Sequence, residues 1–385
     1  MKFIIFPMLF ICCTFGLFSQ EEEHHKHHEN KQEAQSEPNS THTNHGEHQH
    51  DRVDSATPAG IMGMHTHPKG QWVIDYRYMG MDMNKVYYTN KPISPYQVLY
   101  GIFFNPSVQM PVTGLSLPTP GGFSGTLNLN SYRYMSAPVT MYMEMQMISA
   151  MYGLNDNLML MIMIPYVRNA MEMVSNNFEK SNMGSKGIGD ISISLTQKLY
   201  QKEIHHIYLS MGVSIPTGSI DEKDYMPMMG KSKVPYNMQP GTGTFNVLPG
   251  VGYSGSLKVL SWGLQGNFVL RSGKNKNNYR FGNRYEATTW LAWKIFDWLS
   301  ASARVSYTKW DNLIGMDSEL DLAMDPQNDP YKQGGKRLDV LLGFNLLLFH
   351  KLRLGMEYGK PIYQHLNGPQ MATNGIINFF SQVHF

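Results

Sequence analysis

The sequence of 385 residues predicts an all-β fold, namely a transmembrane antiparallel up-and-down β-barrel of about 12 strands that follows a disordered His-rich tail. Three observations predict it. The chain starts with an apolar run typical of secreted proteins, alternating stretches of about 10 residues recur from residue 70 onward, and the turns between them are alternately short and long. This combination is typical of barrels in the outer membrane of a Gram-negative cell envelope.

Residues 1–19 are predicted to be a secretory signal peptide that is cleaved from the mature protein. Lys2 precedes an apolar run over residues 3–18, which is shorter than the roughly 20 apolar residues of a membrane-spanning helix. Both cysteines of the chain, Cys12 and Cys13, lie within this run. A lipoprotein signal is the alternative, but the residue before Cys12 is a bulky isoleucine. The mature protein is therefore predicted to have no disulfide, which fits an oxidising compartment.

Residues 20–60 form a polar region that we predict to be a disordered periplasmic tail. It contains almost no large apolar side chain, so burial cannot offset the conformational entropy lost on ordering. Its histidines are His24, His25, His27, His28, His42, His45, His48 and His50. Imidazole binds Cu(II), Ni(II) and Zn(II), so the tail is a candidate metal chelator, with a merely soluble tail as the alternative.

Residues 61–385 are assigned to the barrel. The alternating stretches predict strands at approximately 70–81, 137–151, 157–173, 188–200, 204–215, 244–256, 261–272, 283–295, 298–310, 336–348, 351–360 and 373–385. The tight turns after even-numbered strands are predicted to be periplasmic. The long connections are predicted to be extracellular, at 82–136, 174–187, 216–243, 273–282, 311–335 and 361–372. The first of these loops is rich in proline and is predicted to fold inward and constrict the lumen.

Alternation within the strands predicts which side chains face the lumen. In residues 300–308 the even positions are polar and the odd positions apolar, so the even positions are predicted to face inward. Trp290, Trp293 and Trp298 near strand ends resemble an aromatic girdle, and the terminal Phe385 resembles the assembly signature of outer-membrane barrels. A soluble β-sandwich is the alternative, but it would not need turns of alternating length.

A second group of metal donors follows the tail. It comprises Met62, Met64, His65 and His67. Thioethers select Cu(I) and imidazoles bind Cu(II), so this cluster, with the tail, is predicted to capture copper in either oxidation state. No other cofactor is required by the sequence.

Methionine is unusually frequent, with 29 in the chain, and many occur at every second position. On a strand this spacing places each series on one face. The candidates for a lumenal methionine ladder are Met141, Met143, Met145, Met147, Met159, Met161 and Met163. Two readings of their orientation stay open. Glu144 and Arg168 oppose methionines, which favours methionines facing lipid, whereas Ile162 and Ile164 oppose others, which favours methionines facing the lumen.

Other function classes have little support in the sequence. Glycine-rich phosphate loops, zinc-hydrolase helix motifs and nucleophile contexts are missing, so an enzyme is not expected. The net charge of +2 and the lack of a basic patch give no support to nucleic-acid binding.

Four motifs resemble a known family, the outer-membrane barrel transporters related to the phenol-degradation meta-pathway protein. They are GIGDISIS at 187–194, IPTGS at 215–219, GTG at 241–243 and LPGVGY at 248–253. The stretches 64–72, 310–312 and 368–370 are similar to a Met- and His-rich branch associated with copper resistance. The resemblance implies an outer-membrane barrel that passes small compounds.

We therefore expect an outer-membrane channel or transport protein that takes part in copper binding, efflux or resistance. The alternative is a passive channel for small hydrophobic or aromatic compounds, or a structural barrel without transport. Expected partners are outer-membrane lipid, metal ions or a small-molecule permeant, and periplasmic efflux or metal-handling proteins.

Overall fold

A computed structural model of the chain describes residues 57–100, 134–202, 204–226, 230–349 and 351–385. The predicted signal peptide and the eight tail histidines lie outside these residues, as does most of the predicted constriction loop. The described chain begins inside the predicted tail, at residue 57, and its residues 57–60 are already part of the barrel. Over the described ranges, no helix is long and apolar enough to cross a membrane.

Seventeen strands are assigned in chain order. They are β1 (Trp72–Thr89), β2 (Lys91–Ile93), β3 (Ser136–Asn155), β4 (Leu158–Ser175), β5 (Lys180–Ile188), β6 (Ile191–Lys202), β7 (His205–Ile215), β8 (Lys223–Met226), β9 (Gly230–Lys233), β10 (Asn246–Leu257), β11 (Leu260–Arg271), β12 (Tyr279–Arg280), β13 (Arg284–Phe296), β14 (Leu299–Trp310), β15 (Ile314–Gly315), β16 (Gly335–Leu348) and β17 (Leu352–His384). The helical elements are short: α1 (Pro95–Leu99) and the 3-10 segments Tyr236–Met238, Pro326–Asn328 and Pro330–Lys332.

The main sheet closes into a barrel. Its strands follow the order β1, β3, β4, β6, β7, β10, β11, β13, β14, β16, β17, and β17 pairs back onto β1. All of these pairings are antiparallel. Closure removes the sheet edges that would leave backbone groups without hydrogen bonds in lipid. The predicted closed antiparallel barrel is confirmed.

The last strand crosses the wall twice. β17 has 33 residues, which would extend about 110 Å at about 3.3 Å per residue, far beyond an apolar band about 25 Å tall. It pairs with β16 through residues 352–366 and with β1 through residues 366–384. Strand direction alternates along the ten strands from β1 to β16, so β1 and β16 run in opposite directions. A strand antiparallel to both must therefore reverse near residue 366, which gives twelve crossings from eleven elements.

This reversal corrects one predicted loop. Residues 361–372 were predicted as an extracellular connection, but they remain in strand conformation up to the reversal. The amide of Gln364 donates to the carbonyl oxygen of Thr373 (2.8 Å) and its side-chain oxygen accepts from the Thr373 N–H (2.9 Å). These bonds join the two arms above the membrane, where the sequence pattern alone had suggested a loop.

Burial alternates along the wall strands and identifies the inner face. In β14 the side chains of Ser300, Ser302, Arg304, Ser306 and Thr308 are all buried, whereas the residues between them are exposed or half-buried. The outward faces of the other wall strands carry large apolar residues, as a lipid-facing surface requires. The predicted inward orientation of the even positions in this strand is confirmed.

The predicted tryptophan girdle holds for two of its three members. Trp293 and Trp298 are exposed on the outer face, but Trp290 is 4% exposed and faces the lumen. The loop predicted over 174–187 is also mostly strand. At the loop end of the barrel, residues 166–174 of β4 pair with β5, which extends the wall there.

Candidate functional site in the barrel lumen

Residues 57–67, which we call the lumenal strap, lie inside the barrel and contact several strands. The guanidinium of Arg77 on β1 donates to the carbonyl oxygens of Ala59 (2.9 Å) and Ile61 (2.7 Å). The Gly60 N–H donates to the Glu357 carboxylate on β17 (2.7 Å). On β11 the amide of Gln265 donates to the carbonyl oxygen of Met62 (2.6 Å). Opposite parts of the wall therefore hold the backbone of the strap.

Apolar contacts fix the strap at the periplasmic half of the lumen. Ile61 and Met64 are buried and pack with Tyr208 of β7 and Trp290 of β13. Trp290 therefore faces the strap, which explains its departure from the girdle. Met62 and Met64 of the strap were predicted as metal donors, and Met64 packs in this apolar cluster.

The strap leaves the lumen through a close backbone contact with β3. The Gly70 N–H donates to the carbonyl oxygen of Gly153 (2.8 Å). A Cβ atom at Gly153 would lie 2.0 Å from the carbonyl oxygen of Pro68, so only glycine fits at this point. The sequence analysis had assigned no role to this glycine.

Buried ion pairs line one side of the lumen, which we call the polar wall and define as the inner faces of β14, β16 and β17. Arg304 and Glu357 form a two-point pair, with N–O distances of 3.0 and 3.1 Å. Arg337 and Asp339 are joined at 2.9 Å. The Arg304, Glu357 and Asp339 side chains are all at most 5% exposed. Pairing is what makes burial of these charges tolerable.

Methionines line the opposite side, which we call the methionine wall and define as the inner faces of β1, β3 and β4. Its members are Met79, Met81, Met83, Met141, Met143, Met145, Met147, Met151, Met159, Met161, Met163, Met171 and Met173. Several are direct cross-strand partners: Met79 with Met145, Met81 with Met143, Met83 with Met141, and Met151 with Met161. The seven candidates for a ladder thus share the inner face, where each is buried or half-buried.

The charges that favoured methionines facing lipid lie on the outer face. Tyr142 and Tyr78 share a hydrogen bond (2.5 Å), Tyr78 donates to Glu144 (3.2 Å), and Arg168 pairs with Glu144 (3.4 Å). The cross-strand pair Glu144 and Arg168 lies nearer the loop end of β3 and β4 than the outward isoleucines. Charged side chains at that level are compatible with a membrane interface. The alternation of Glu144 and Arg168 with methionines therefore does not show which face of the strands lines the lumen.

An apolar cluster closes the methionine wall at the loop end of the barrel. Met83, Met141 and Met171 pack there with residues from the loops, which include Val98 and Leu99 of α1, Tyr134, Val234 and Met238. Tyr134 and α1 belong to the predicted constriction loop, and they pack against the inward methionines, whereas residues 101–133 of that loop lie outside the described residues.

The predicted histidine donors of the strap lie together near the end of β17. The rings of His65 and His67 are 4.8 Å apart, and those of His67 and His384 are 5.4 Å apart. His384 was not predicted as part of this group. Among the residues that the structure describes, no group of three or more His, Cys, Asp and Glu side chains is arranged to hold a metal ion.

Three of the four glycine-rich motifs, at 187–194, 215–219 and 241–243, meet at the break between β5 and β6, whereas 248–253 lies within β10. The carboxylate of Asp190 accepts from the N–H groups of Gly218 (3.0 Å) and Thr242 (2.9 Å). The hydroxyl of Thr217 donates to the carbonyl oxygen of Gly189 (2.9 Å). A Cβ atom at Gly218 would lie 2.6 Å from the Cα of Gly241, so these loops pack backbone against backbone. These three motifs therefore build one junction instead of separate turns.

Extracellular loops are joined by a buried lysine. Lys233 of β9 is 4% exposed and pairs with Asp317 (2.7 Å) and Asp221 (2.8 Å). These bonds, with that from Lys276, lower the pKa of Asp221. In the neighbouring loop, burial raises the pKa of Asp325 to about 7, although its carboxylate accepts a hydrogen bond from the Gln327 N–H (2.7 Å).

Comparison with known proteins agrees with this architecture. A family profile described as "Putative MetA-pathway of phenol degradation" matches residues 108–312, just over half of the chain. An outer membrane channel from Pseudomonas putida F1 aligns with a TM-score of 0.54 at 13% identity, over 84% of this chain and 99% of that one. At this identity, the alignment shows that the two chains share a fold. A search of curated proteins gave no significant match.

Two further solved structures align more loosely. The toluene transporter TbuX from Ralstonia pickettii and the toluene transporter TodX from P. putida each give a TM-score of 0.39. Their identities to this chain are 10% and 9%, and each alignment covers 83% of this chain and 90% of the other.

Proposed function

Because the chain belongs to the family described as putative MetA-pathway of phenol degradation, we propose that it is an outer-membrane channel for small hydrophobic compounds, including aromatic ones. The observation that carries this proposal is the methionine wall. A water-filled barrel for polar solutes is polar all round its interior. Here thioethers predominate on one side of the lumen, from the loop cluster at Met83 to Met159 near the periplasmic turns, although the buried residues Asp75, Arg77, Ser149 and Asn169 share this side.

Methionine suits such a path physically. Its side chain is unbranched, flexible and polarizable, so it adapts to apolar solutes of different shape, and its sulfur makes favourable contacts with aromatic rings. A solute that moves along β3 and β4 would meet mainly thioethers and would avoid both the ion pairs of the polar wall and the Asp75–Arg77 pair of β1.

The test is uptake of radiolabelled toluene by cells that carry the parent or a variant protein. Replacement of Met145 and Met161 by Glu places two charges in the path, and we expect uptake to fall to that of cells without the protein. The matched control replaces the same residues by Leu, which keeps the path apolar and should keep uptake. Toluene uptake by the Glu variant at the parental rate would overturn the proposal.

Copper handling is the second candidate, and the direct methionine pairs favour it. Met79 with Met145 and Met81 with Met143 place thioethers opposite each other on adjacent strands, and thioethers are ligands for Cu(I). Capture by the tail histidines and by Met62, Met64, His65 and His67 belongs to this candidate. The family match favours hydrophobic passage over this candidate.

Leucine variants separate the two candidates. Replacement of Met79, Met81, Met143 and Met145 by Leu removes sulfur but keeps the apolar surface. If the barrel carries Cu(I), this variant should lose bound Ag(I), the probe, while it retains toluene uptake. Unchanged Ag(I) stoichiometry in this variant, and in one with Ala at the four strap donors, would exclude copper handling by these residues.

A further inference from the structure

Basic side chains form a row across three strands on the outer face of the barrel, at the loop end. Lys309 of β14 lies directly opposite Lys336 of β16, and Lys336 lies directly opposite His365 of β17. Lys309 alternates with the buried, inward residues of β14, so it points outward, and cross-strand partners share its face. We call Lys309, Lys336 and His365 the basic row.

The basic row lies where the outer leaflet of the membrane meets water. At about 3.4 Å per residue and a tilt of about 40°, Lys309 lies about 26 Å above Leu299, the first residue of β14. The apolar band of an outer-membrane barrel is about 25 Å tall, so the row lies at the upper edge of this band. The row therefore faces the headgroups of the outer leaflet.

Two lysines on adjacent strands form an unfavourable pair, because like charges directly opposite each other repel. Lys309 also lies 3.9 Å from the carboxylate of Asp311. Both of these side chains are exposed, 55% and 42% respectively, so this ion pair contributes little to stability. An anion that contacts Lys309 and Lys336 together would remove the repulsion between them.

Large apolar side chains lie on the same outer face, below the basic row. Tyr307, Leu342 and Phe344 are exposed there, closer to the periplasmic end than Lys309 and Lys336. Lys360, the exposed cross-strand partner of Val340, also points outward, and a lysine in this position extends its ammonium group toward the headgroups. This surface suits a ligand with acyl chains directly beneath an anionic headgroup.

We infer that the basic row binds a phosphate of lipid A, the acylated and bisphosphorylated glycolipid of the outer leaflet, whose acyl chains then cover the apolar residues below. Lysine ammonium groups form charge-assisted hydrogen bonds to phosphate, and the imidazole of His365 supplies a further donor. Clusters of basic side chains at a membrane surface attract anionic headgroups in the same way. This site goes beyond the proposed channel function, since it lies on the outer face of the barrel and not in the lumen.

The test measures binding of bisphosphorylated lipid A to the full-length protein in detergent by native mass spectrometry, with dephosphorylated lipid A and inorganic phosphate as further probes. The double variant Lys309→Met with Lys336→Met should bind bisphosphorylated lipid A about tenfold more weakly than the parent, because two cations at the headgroup level are lost. Its binding of dephosphorylated lipid A should change less than about twofold. The matched control, Lys202→Met with Lys351→Met, removes two exposed lysines at the periplasmic end and should leave both affinities unchanged.

A charge-preserving variant protects the test against misfolding. Lys309→Arg with Lys336→Arg should bind bisphosphorylated lipid A within about threefold of the parent, and the heat-dependent gel mobility of every variant should match that of the parental barrel. Equal affinity of the parent and the methionine variant for bisphosphorylated lipid A would overturn the inference. Binding of dephosphorylated lipid A or of inorganic phosphate by the parent as tightly as bisphosphorylated lipid A would also overturn it, and this comparison needs no variant.

Toluene uptake tests the channel separately from this site. The methionine variant should take up toluene at the parental rate, because both lysines lie outside the lumen.

Discussion

The two sides of the lumen are filled by different kinds of side chain. The polar wall buries charges in fixed pairs, and the carboxylate of Glu357 also accepts a hydrogen bond from the Gly60 N–H of the strap. These bonds fix the positions of the paired side chains and of the strap. On the methionine wall, Arg77 of β1 pairs with Asp75 and binds the strap, whereas the methionines of β3 and β4 are flexible apolar side chains. The comparison teaches that the polar wall and β1 position the strap, while the methionines of β3 and β4 leave an adaptable surface.

Breaking the polar wall should have the largest effect. Glu357→Ala would leave Arg304 buried without its partner and the Gly60 N–H without its acceptor, so we expect a loss of about 3–5 kcal/mol in the free energy of unfolding. Urea unfolding in detergent micelles measures it. The double variant that also carries Arg304→Ala should recover part of the loss, and an additive double loss would contradict a coupled pair.

On the methionine wall, the free energy of unfolding should depend more on side-chain volume than on the presence of sulfur. Met159 is fully buried and packs with Val73 and Met151. Met159→Ala should cost about 2–5 kcal/mol through the cavity it leaves, whereas Met159→Leu should cost less than about 1.5 kcal/mol. Urea unfolding again provides the measurement. A leucine variant as unstable as the alanine variant would mean that the wall depends on sulfur and not on apolar volume.

Asp325 extends the comparison to the extracellular loops, since its buried carboxyl pairs with no cationic side chain among the residues that the structure describes. Its pKa is about 7 in the folded loop and about 3.9 when unfolded, so folding favours the protonated form. Loop stability should thus be highest below pH 4, fall as pH rises toward 7, and then stay constant.

Asp325→Asn should remove this pH dependence and stabilise the loop by about 4 kcal/mol at pH 8, with little effect at pH 4. Limited proteolysis of the parent and the variant at the two pH values measures the effect. If both proteins were cleaved at the same rate at pH 8, ionisation of the Asp325 carboxyl would not destabilise the loop.

The exposed pair Lys223 and Glu319 should give the smallest effect. Its side chains are 40% and 48% exposed, and their N–O distance is 2.5 Å. Lys223→Met should cost less than about 1 kcal/mol, and that cost should diminish in high salt. Replacement of the buried Lys233 by Met, measured in the same unfolding experiment, should cost clearly more because Asp317 would remain buried.

Most wall strands could be predicted from the sequence within a few residues. The stretch 298–310 corresponds to Leu299–Trp310, and 204–215 to His205–Ile215, because alternation over one strand is a local signal. The reversal in β17 and the extension by β5 were missed, since strands that continue above the membrane no longer need apolar outer faces. Turn residues in those segments therefore resembled loops.

The site was less predictable than the wall. The strap has no periodic pattern, and its position depends on Arg77, Gln265 and Glu357, which are distant in sequence. The orientation of the methionines was ambiguous because Glu144 lies on the outer face with tyrosine and arginine partners, which no pattern along a single strand reveals. Only the apolar residues Ile61 and Met64, which directly follow the predicted tail, could have indicated burial.

The seam between β1 and β17 has a consequence for the order of assembly. It joins residues about 300 positions apart, as in the hydrogen bond from the Phe385 N–H to the carbonyl oxygen of Trp72 (3.0 Å), whereas the other wall strands pair mainly with near neighbours. Contacts of large sequence separation carry a high loop-closure entropy and form slowly. The nearby hairpins should therefore form early and the seam last, so that closure is the slow step that encloses the strap.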